Sequence, residues 1–355
     1  MSTLRVTAEP LTVHEHPNAD SLELAQVGLY RAVVGKGVYN SGDYAVYIPE
    51  QAVLPEELIA ELGLTGRLAG KAADRVRAVR LRGELSQGVV CRPAALADVD
   101  LVAAHAAGTD FAELLGITKW VPSVPTTMSG DVEPAPELMP WIDIENLKRF
   151  PDIFAEGEEV VVTEKIHGTA GLFSYFADSG RVQVSSKGIG AQKLALQEDD
   201  RNLYWRAVRA YGLPDVAAKI AERLGADRVG IFGEVYGAGV QDLRYGADAG
   251  RDRPGYAVFD VSAEIDGQLH WLDAAAVLEG ALPLVPELFR GPFELAKVLE
   301  LAEGTETVSG QGLHLREGVV IRPLVERHSP QLGGRAIAKV VSGAYLTRKN
   351  GTEYE

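Results

Sequence analysis

The sequence has a single cysteine, Cys91, among 355 residues. That excludes an internal disulfide and a cysteine-based metal cluster. No apolar run approaches the roughly 20 residues needed to cross a bilayer. The first residues, Met1-Ser2-Thr3-Leu4-Arg5, lack the charged-then-apolar build of a signal peptide. The expectation is a cytoplasmic protein with no membrane partner and no evident obligate protein partner. Positive charge is in deficit, 35 Lys and Arg against 50 Asp and Glu for a net −15. This argues against indiscriminate polyanion binding but leaves room for a local basic groove. His14 and His16 lie two apart with no third ligand nearby, so a zinc site is not expected. A hydrophobic content of 46% with scattered charge is an ordinary globular composition. The length points to two domains.

What is present begins with short strands and Gly-rich turns over residues 4–93. Leu22–Val27 alternates, Tyr30–Val34 follows, and Asp43–Pro49 ends on a strand-stopping proline. Asp74–Leu81 alternates polar with apolar, and Gly88–Cys91 reads as a further strand. Strands at this spacing predict a small β-barrel. Arg75, Arg77, Arg80 and Arg82 would form a basic stripe on one strand and its turn, either a solvated rim or a platform for a nucleic-acid backbone. Residues 93–119 are Ala-rich and predict helix. Residues 121–140 carry Pro122, Pro125, Pro134, Pro136 and Pro140 among Ser, Thr and Gly, a linker composition. The division expected is therefore 1–120, a linker at 121–140, and a second domain at 141–355, opening with a short helix at 143–150.

The second domain is organised around Glu159–Thr169. A β-branched run reads as a buried strand that delivers Lys165 at its end, followed by Gly168 where the backbone can turn closely. Further strands downstream each present one notable side chain. Arg181–Gly188 ends on Lys187, Val229–Gly237 sets Glu234 beside Gly233, and Tyr256–Val261 supplies Phe259. Arg316–Pro323 begins with Glu317, and Ala336–Val341 holds Lys339 inside an apolar strand, where a charge needs a partner. Each alone has an ordinary explanation: the carboxylates as turn caps, Phe259 as core, Lys187 as a solvated tip. The ordered set does not.

Lys165-Ile166-His167-Gly168 matches the "K-x-D/H-G" motif of the covalent nucleotidyltransferases, the ATP-dependent ligases and capping enzymes. Glu234 in "F-G-E-V-Y-G", Phe259, Glu317 in "E-G-V-V-I" and Lys339 match their later motifs. Over residues 145–349 the chain resembles the RNA ligase branch, on the histidine after the nucleophile, the "S-S-K-G" stretch and the "K-V-V-S---Y-L" ending. His16–Leu22 and Arg82–Gly88, an "HPNAD-L" and an "RG--SQG" turn, resemble the OB-fold tRNA-binding module of some synthetases. An OB-like domain ahead of an adenylyltransferase domain is similar to the Deinococcus-type RNA ligases.

The resemblance implies an α+β protein: an N-terminal OB-like β-barrel, then a nucleotidyltransferase domain of antiparallel sheets with flanking helices. It implies ATP-dependent sealing of 5′-phosphate and 3′-hydroxyl RNA ends through a lysyl–AMP, in RNA repair at nicks, with Mg²⁺ or Mn²⁺. Lys165 is the nucleophile that this implies, and Lys339 the cation that lowers its pKa and holds the triphosphate. Glu234 would take the ribose hydroxyls, Phe259 the adenine face and Glu164 the adenine amino group, with Ile166 and Gly168 beside the nucleotide. Lys187 would contact phosphate and Glu317 would bind the metal. A lysine must lose its proton to attack, which at an ordinary pKa costs about 4–5 kcal/mol at pH 7. One departure stands out: many relatives carry two lysines with one residue between them in the last motif, and here Ile337 and Val341 flank Lys339 at that spacing. The rival readings are a DNA nick ligase, a GTP-using capping-like enzyme, and a non-catalytic RNA-binding module.

Overall fold

A computed structural model describes residues 4–141, 143–248, 253–349 and 351–352. The N-terminal domain is a small OB-like barrel. Thr7–Pro10, Tyr44–Ile48 and Val89–Cys91 form one three-stranded sheet, and Thr12–Glu15, Leu22–Val27 and Tyr30–Gly35 form a meander beside it. A hairpin, Val79–Leu81 with Glu84–Ser86, projects from it. Val6, Ala8, Val46 and Ile48 close a core against Leu101 and Phe111. The expected helix over 93–119 is reduced to a 3₁₀ turn, Ala94–Leu96, and one helix, Leu101–Ala106, capped by the Asp100 carboxylate. Gly108, in the left-handed region at φ 63°, then turns the chain away.

The catalytic-domain candidate is built on two sheets. The first has seven antiparallel strands in the order Val132–Pro134, Leu194–Leu196, Val182–Ser186, Thr169–Phe176, Arg228–Tyr236, Gly255–Ile265, Gln268–Leu272. The helices Leu203–Ala210 and Leu213–Leu224 bury their apolar faces on it through Leu203, Tyr204, Ala217 and Ile220. The second sheet has five strands in the order Glu145–Asn146, Ala338–Val341, Gly318–Pro323, Glu159–Lys165, Glu287–Pro292. Helix Leu295–Leu301 packs there through Val298. Among the described residues no helix is long and apolar enough to cross a membrane.

Two segments differ from the sequence expectation. The proline-rich stretch 121–140 is not a free linker: Val132–Pro134 is an edge strand of the seven-stranded sheet, and Met128, Ala135, Leu138 and Met139 are buried. An edge position tolerates the proline that an interior strand would reject. Residues 143–150 are not a helix but a two-residue strand, Glu145–Asn146, parallel to Ala338–Lys339, followed by a 3₁₀ turn capped by Asn146. Burial of Leu147 in the core outweighs local helix preference.

Candidate active site

Sheet register assembles the site. In the five-stranded sheet Lys165 lies opposite Gly318, so Glu317 sits at the end of the Lys165 strand, while Lys339 lies opposite Val320 on the next strand out. Residues separated by more than 150 positions thereby converge. The Lys165 Nζ donates to Glu317 Oε1 at 2.8 Å. The chain then crosses at His167-Gly168 into the seven-stranded sheet, where Thr169 and Ala170 pair with Val235 and Glu234. A Cβ on Gly168 would meet the Val235 carbonyl at 2.2 Å, and one on Gly318 the Val340 carbonyl at 2.1 Å. Only glycine permits either approach.

These residues line one cavity of about 660 Å³ that also takes Tyr30, Glu50, Lys119 and Trp120 from the barrel side. The structure brings Glu164, Lys165, Ile166, Gly168, Lys187, Glu234, Phe259, Glu317 and Lys339 together around it. Phe259 reaches it through a β-bulge. Register slips between Phe232 and Gly233, which face Asp260 and Val258, so Phe259 is the extra residue and its side chain is re-aimed. Its ring packs against Trp141, centroids 4.9 Å apart. Lys187 does not end a strand but opens the short helix Lys187–Ala191, with Nζ 3.6 Å from Asp143 Oδ1.

The electrostatics depart from one expectation. Burial works to discharge Lys165, but the carboxylates of Glu317, Glu234 and Asp143 outweigh it and raise its pKa above the ordinary lysine value. The lysine is thus held charged, not poised as a free amine. Lys339 behaves oppositely: burial lowers its pKa to about 8, helped by the like charges of Lys165 and Lys187 and opposed by Asp143. Burial raises the Glu234 pKa to about 7, against the pull of Lys165, and its Oε1 accepts from the Gly168 N–H at 3.1 Å. Glu164 is buried. Its Oε2 accepts from Thr307 N–H at 2.8 Å and Thr307 Oγ1 at 2.6 Å, while Oε1 has no partner.

A metal can be tested against the same side chains. Glu317 Oε2 is buried without a hydrogen-bond partner, an oxygen available to a hard divalent cation. No group of three or more His, Cys, Asp or Glu that could hold a metal occurs among the described residues. This carboxylate oxygen, beside Lys165, fits Mg²⁺ or Mn²⁺ that keeps waters and takes phosphate oxygens for its remaining positions.

The four arginines of the barrel do not form one stripe. Arg77 donates to the Leu346 carbonyl at 3.3 Å and the Arg348 carbonyl at 3.0 Å, tying the barrel to the second domain. The Arg75 guanidinium lies 3.8 Å over the Trp120 ring. Arg80 and Arg82 remain exposed on the projecting hairpin. The expected strand is broken in two: Arg75 makes isolated antiparallel bridges to Val53 and Ala69, and Val79–Leu81 pairs separately in the hairpin. The two recurring barrel turns support each other. Asn18 N–H donates to His16 Nδ1 at 3.1 Å, so Nε2 carries the proton it gives to the Leu81 carbonyl at 3.1 Å. Asn18 Nδ2 donates to the Arg82 carbonyl at 3.1 Å.

Several cavity residues were not legible in sequence. Asp143 is paired with Lys187 and is within electrostatic reach of Lys165 and Lys339. Trp141 backs Phe259, and Arg322 donates to the Phe259 carbonyl at 3.2 Å. The lysine missing at position 337 is a buried isoleucine on the cavity wall. Arg335 does not replace it, being ion-paired to Asp260 and Glu326 and stacked 3.8 Å over Trp271. Lys148 and Arg149 do line the cavity. No sequence signal marks them apart from ordinary surface lysine and arginine.

An RNA ligase family model matches residues 158–341, and an OB-fold domain model matches residues 6–93. No curated protein matches the chain. Among solved structures, a Naegleria gruberi RNA ligase mutant without ligand is 23% identical, with 98% of each chain covered and a TM-score of 0.76. A mutant of the same ligase with ATP and Mn is 22% identical, covering 96% of this chain and 98% of its own at TM-score 0.76. Another, with AMP and Mn, is 22% identical, covering 97% and 98% at TM-score 0.77. The whole two-domain arrangement is thus shared.

Proposed function

The chain belongs to the RNA ligase family, and from that premise we propose that it seals 5′-phosphate and 3′-hydroxyl RNA ends with ATP through a lysyl–AMP on Lys165. The observation that carries this is the convergence of Lys165, Glu317, Glu234 and Lys339 on one cavity. Neutral Lys165 Nζ attacks the α-phosphorus of ATP, the bond to the β-phosphate breaks, and pyrophosphate leaves. AMP then passes to the RNA 5′-phosphate, and a 3′-hydroxyl displaces AMP to form the phosphodiester. Such transfers depend mainly on positioning and charge neutralisation.

Each side chain has a place in that scheme. Phe259, braced by Trp141, offers its ring to adenine, and the unpartnered Glu164 Oε1 can accept the adenine amino group. Ile166 and Gly168 close the nucleotide's side of the wall, and Glu234 accepts from the ribose. Lys187 and Lys339 meet the phosphates, with Lys148 and Arg149 supplying charge that Ile337 does not. Glu317 would hold Mg²⁺ or Mn²⁺, which supplies positive charge against the triphosphate and eases loss of the lysine proton. The substrate we infer is a break with an RNA 3′-hydroxyl, in an RNA or RNA/DNA duplex. The test is incubation with α-labelled ATP and Mg²⁺ or Mn²⁺. A labelled, acid-labile protein band is expected; a band with GTP instead would favour the capping-like reading, and none with either would favour a binding module.

Nucleotide affinity should fall at alkaline pH. With the Lys339 pKa at about 8 in the free protein, bound triphosphate holds its proton. The Lys339 contribution to ATP affinity then declines by up to tenfold per unit above pH 8. Calorimetric titration with an ATP analogue blocked between the α- and β-phosphates checks this, and Lys339→Arg should flatten the decline.

On the barrel, replacing both Arg80 and Arg82 with alanine should weaken RNA binding and lower the salt slope by about 1–2. Arg77→Ala should leave that slope unchanged and lower the melting temperature, because its donors serve Leu346 and Arg348. Filter binding across a salt series, with thermal melts, separates the two.

A further inference from the structure

The turn after Lys165 is held by hydrogen bonds from several distant side chains. His167 N–H donates to Tyr245 Oη at 2.7 Å, and the Gly168 carbonyl accepts from Gln241 Nε2 at 3.1 Å. The His167 ring is buried, with Nε2 2.8 Å from Asp242 Oδ1 and Nδ1 2.8 Å from Tyr345 Oη. A carboxylate only accepts, so Nε2 carries the proton that faces Asp242, and Arg348 Nη2 lies 3.3 Å from the same nitrogen. The ring's orientation is thus set by Asp242 and Tyr345, with Arg348 beside it.

Asp242 is in turn held by residues near the end of the described chain. Arg348 Nε donates to its Oδ2 at 3.0 Å and Nη2 to its Oδ1 at 3.1 Å, a two-pronged pair. Thr352 N–H donates to Oδ1 at 2.8 Å. Burial opposes the charge on Asp242, but the bonds from His167 and Arg348 outweigh it and hold the carboxyl well below its ordinary range. Arg348 also stacks 3.6 Å over the Tyr345 ring, so the guanidinium fixes both partners of His167 at once. Neither Arg348 nor Asp242 lines the cavity.

We infer that Tyr345, Arg348 and Asp242 form a brace that positions the Lys165 turn through His167, and that Arg348 and Asp242 are positioning residues for lysine adenylylation. The inference rests on the ligase reading above. Its consequence is specific to one step. Lys165 must reach the α-phosphorus in line, and a displacement near 1 Å costs on the order of 100-fold. Sealing a break whose 5′-end is already adenylated does not use Lys165 as a nucleophile, so a loosened turn should spare it.

The experiment compares full-length Arg348→Ala, Arg348→Lys, Asp242→Ala and Tyr345→Phe with the unaltered protein. Lysyl–AMP formation in a single turnover and joining of a pre-adenylated RNA nick are both measured, with melting temperatures. The expected result is adenylylation slowed roughly 100-fold in Arg348→Ala and Asp242→Ala, with pre-adenylated joining within about threefold. Arg348→Lys, which keeps a cation on Asp242, should recover about tenfold. The milder Tyr345→Phe keeps the ring and should slow adenylylation about tenfold. If an alanine variant does not fold, Tyr345→Phe and Arg348→Lys decide: unchanged adenylylation in both overturns the inference. Parallel loss of both steps also overturns it, since the network would then only hold the fold. An unaltered protein that joins nothing and forms no adenylate overturns the ligase reading, and this inference with it.

Discussion

Lys165→Ala should form no labelled adenylate with α-labelled ATP, a loss on the order of 10⁴–10⁶ in single-turnover rate, while still joining a pre-adenylated RNA nick. Neither Lys339 nor Lys187 is placed to substitute. Lys339 is on the second strand over in the sheet, and Lys187 belongs to a separate helix held against Asp143. Lys165→Arg should be equally inactive, because a guanidinium does not release its proton in the working pH range. The measurement is a denaturing gel for the adenylate, run beside a joining assay. An adenylate that survives Lys165→Ala would place the nucleophile elsewhere.

Glu317→Ala should slow adenylylation by roughly 10²–10³. Two opposing effects meet at this residue. Removing the carboxylate 2.8 Å from Lys165 Nζ takes away the largest charge holding that lysine protonated. One pKa unit gained this way is about 1.4 kcal/mol in favour of the free amine. The same change deletes the oxygen offered to the divalent cation, a loss of several kcal/mol of transition-state charge stabilisation. The second effect is larger, so the net result is loss. The first should still be visible: residual activity should extend to lower pH than in the unaltered protein. Chelation by EDTA should abolish adenylylation in the unaltered protein, and excess Mn²⁺ should partly rescue Glu317→Ala. A variant with full activity would remove Glu317 from the metal's place.

Much of the barrel was legible because its strands alternate and its turns carry Gly and Pro at the bends. Leu22–Val27, read from its alternation, and Tyr44–Ile48 and Val89–Cys91, read from apolar runs bounded by proline or glycine, all pair as strands. The proline-rich segment was misleading for a physical reason: composition reports the absence of helix, and an edge strand shares that composition with a linker. Residues 143–150 failed similarly, since parallel pairing with Ala338–Lys339 is a contact across nearly 200 residues that no local pattern records. The arginine stripe was read from alternation alone. Tertiary contacts spend Arg77 on the Leu346 and Arg348 carbonyls and stack Arg75 on Trp120.

The sequence by itself determined which groups are available to react. A lysine at the end of a strand, a following glycine that must approach Val235, and the carboxylates Glu234 and Glu317 are requirements of residue type, and type is written locally. Tertiary structure decided their state and aim. Whether Lys165 is charged depends on Glu317, 152 residues away. Whether Phe259 faces the cavity depends on a register slip in its neighbour. Whether the Lys165 turn stays in place depends on Asp242, Tyr345 and Arg348. Coulomb energies and strand register are pairwise quantities that exist only once distant segments meet.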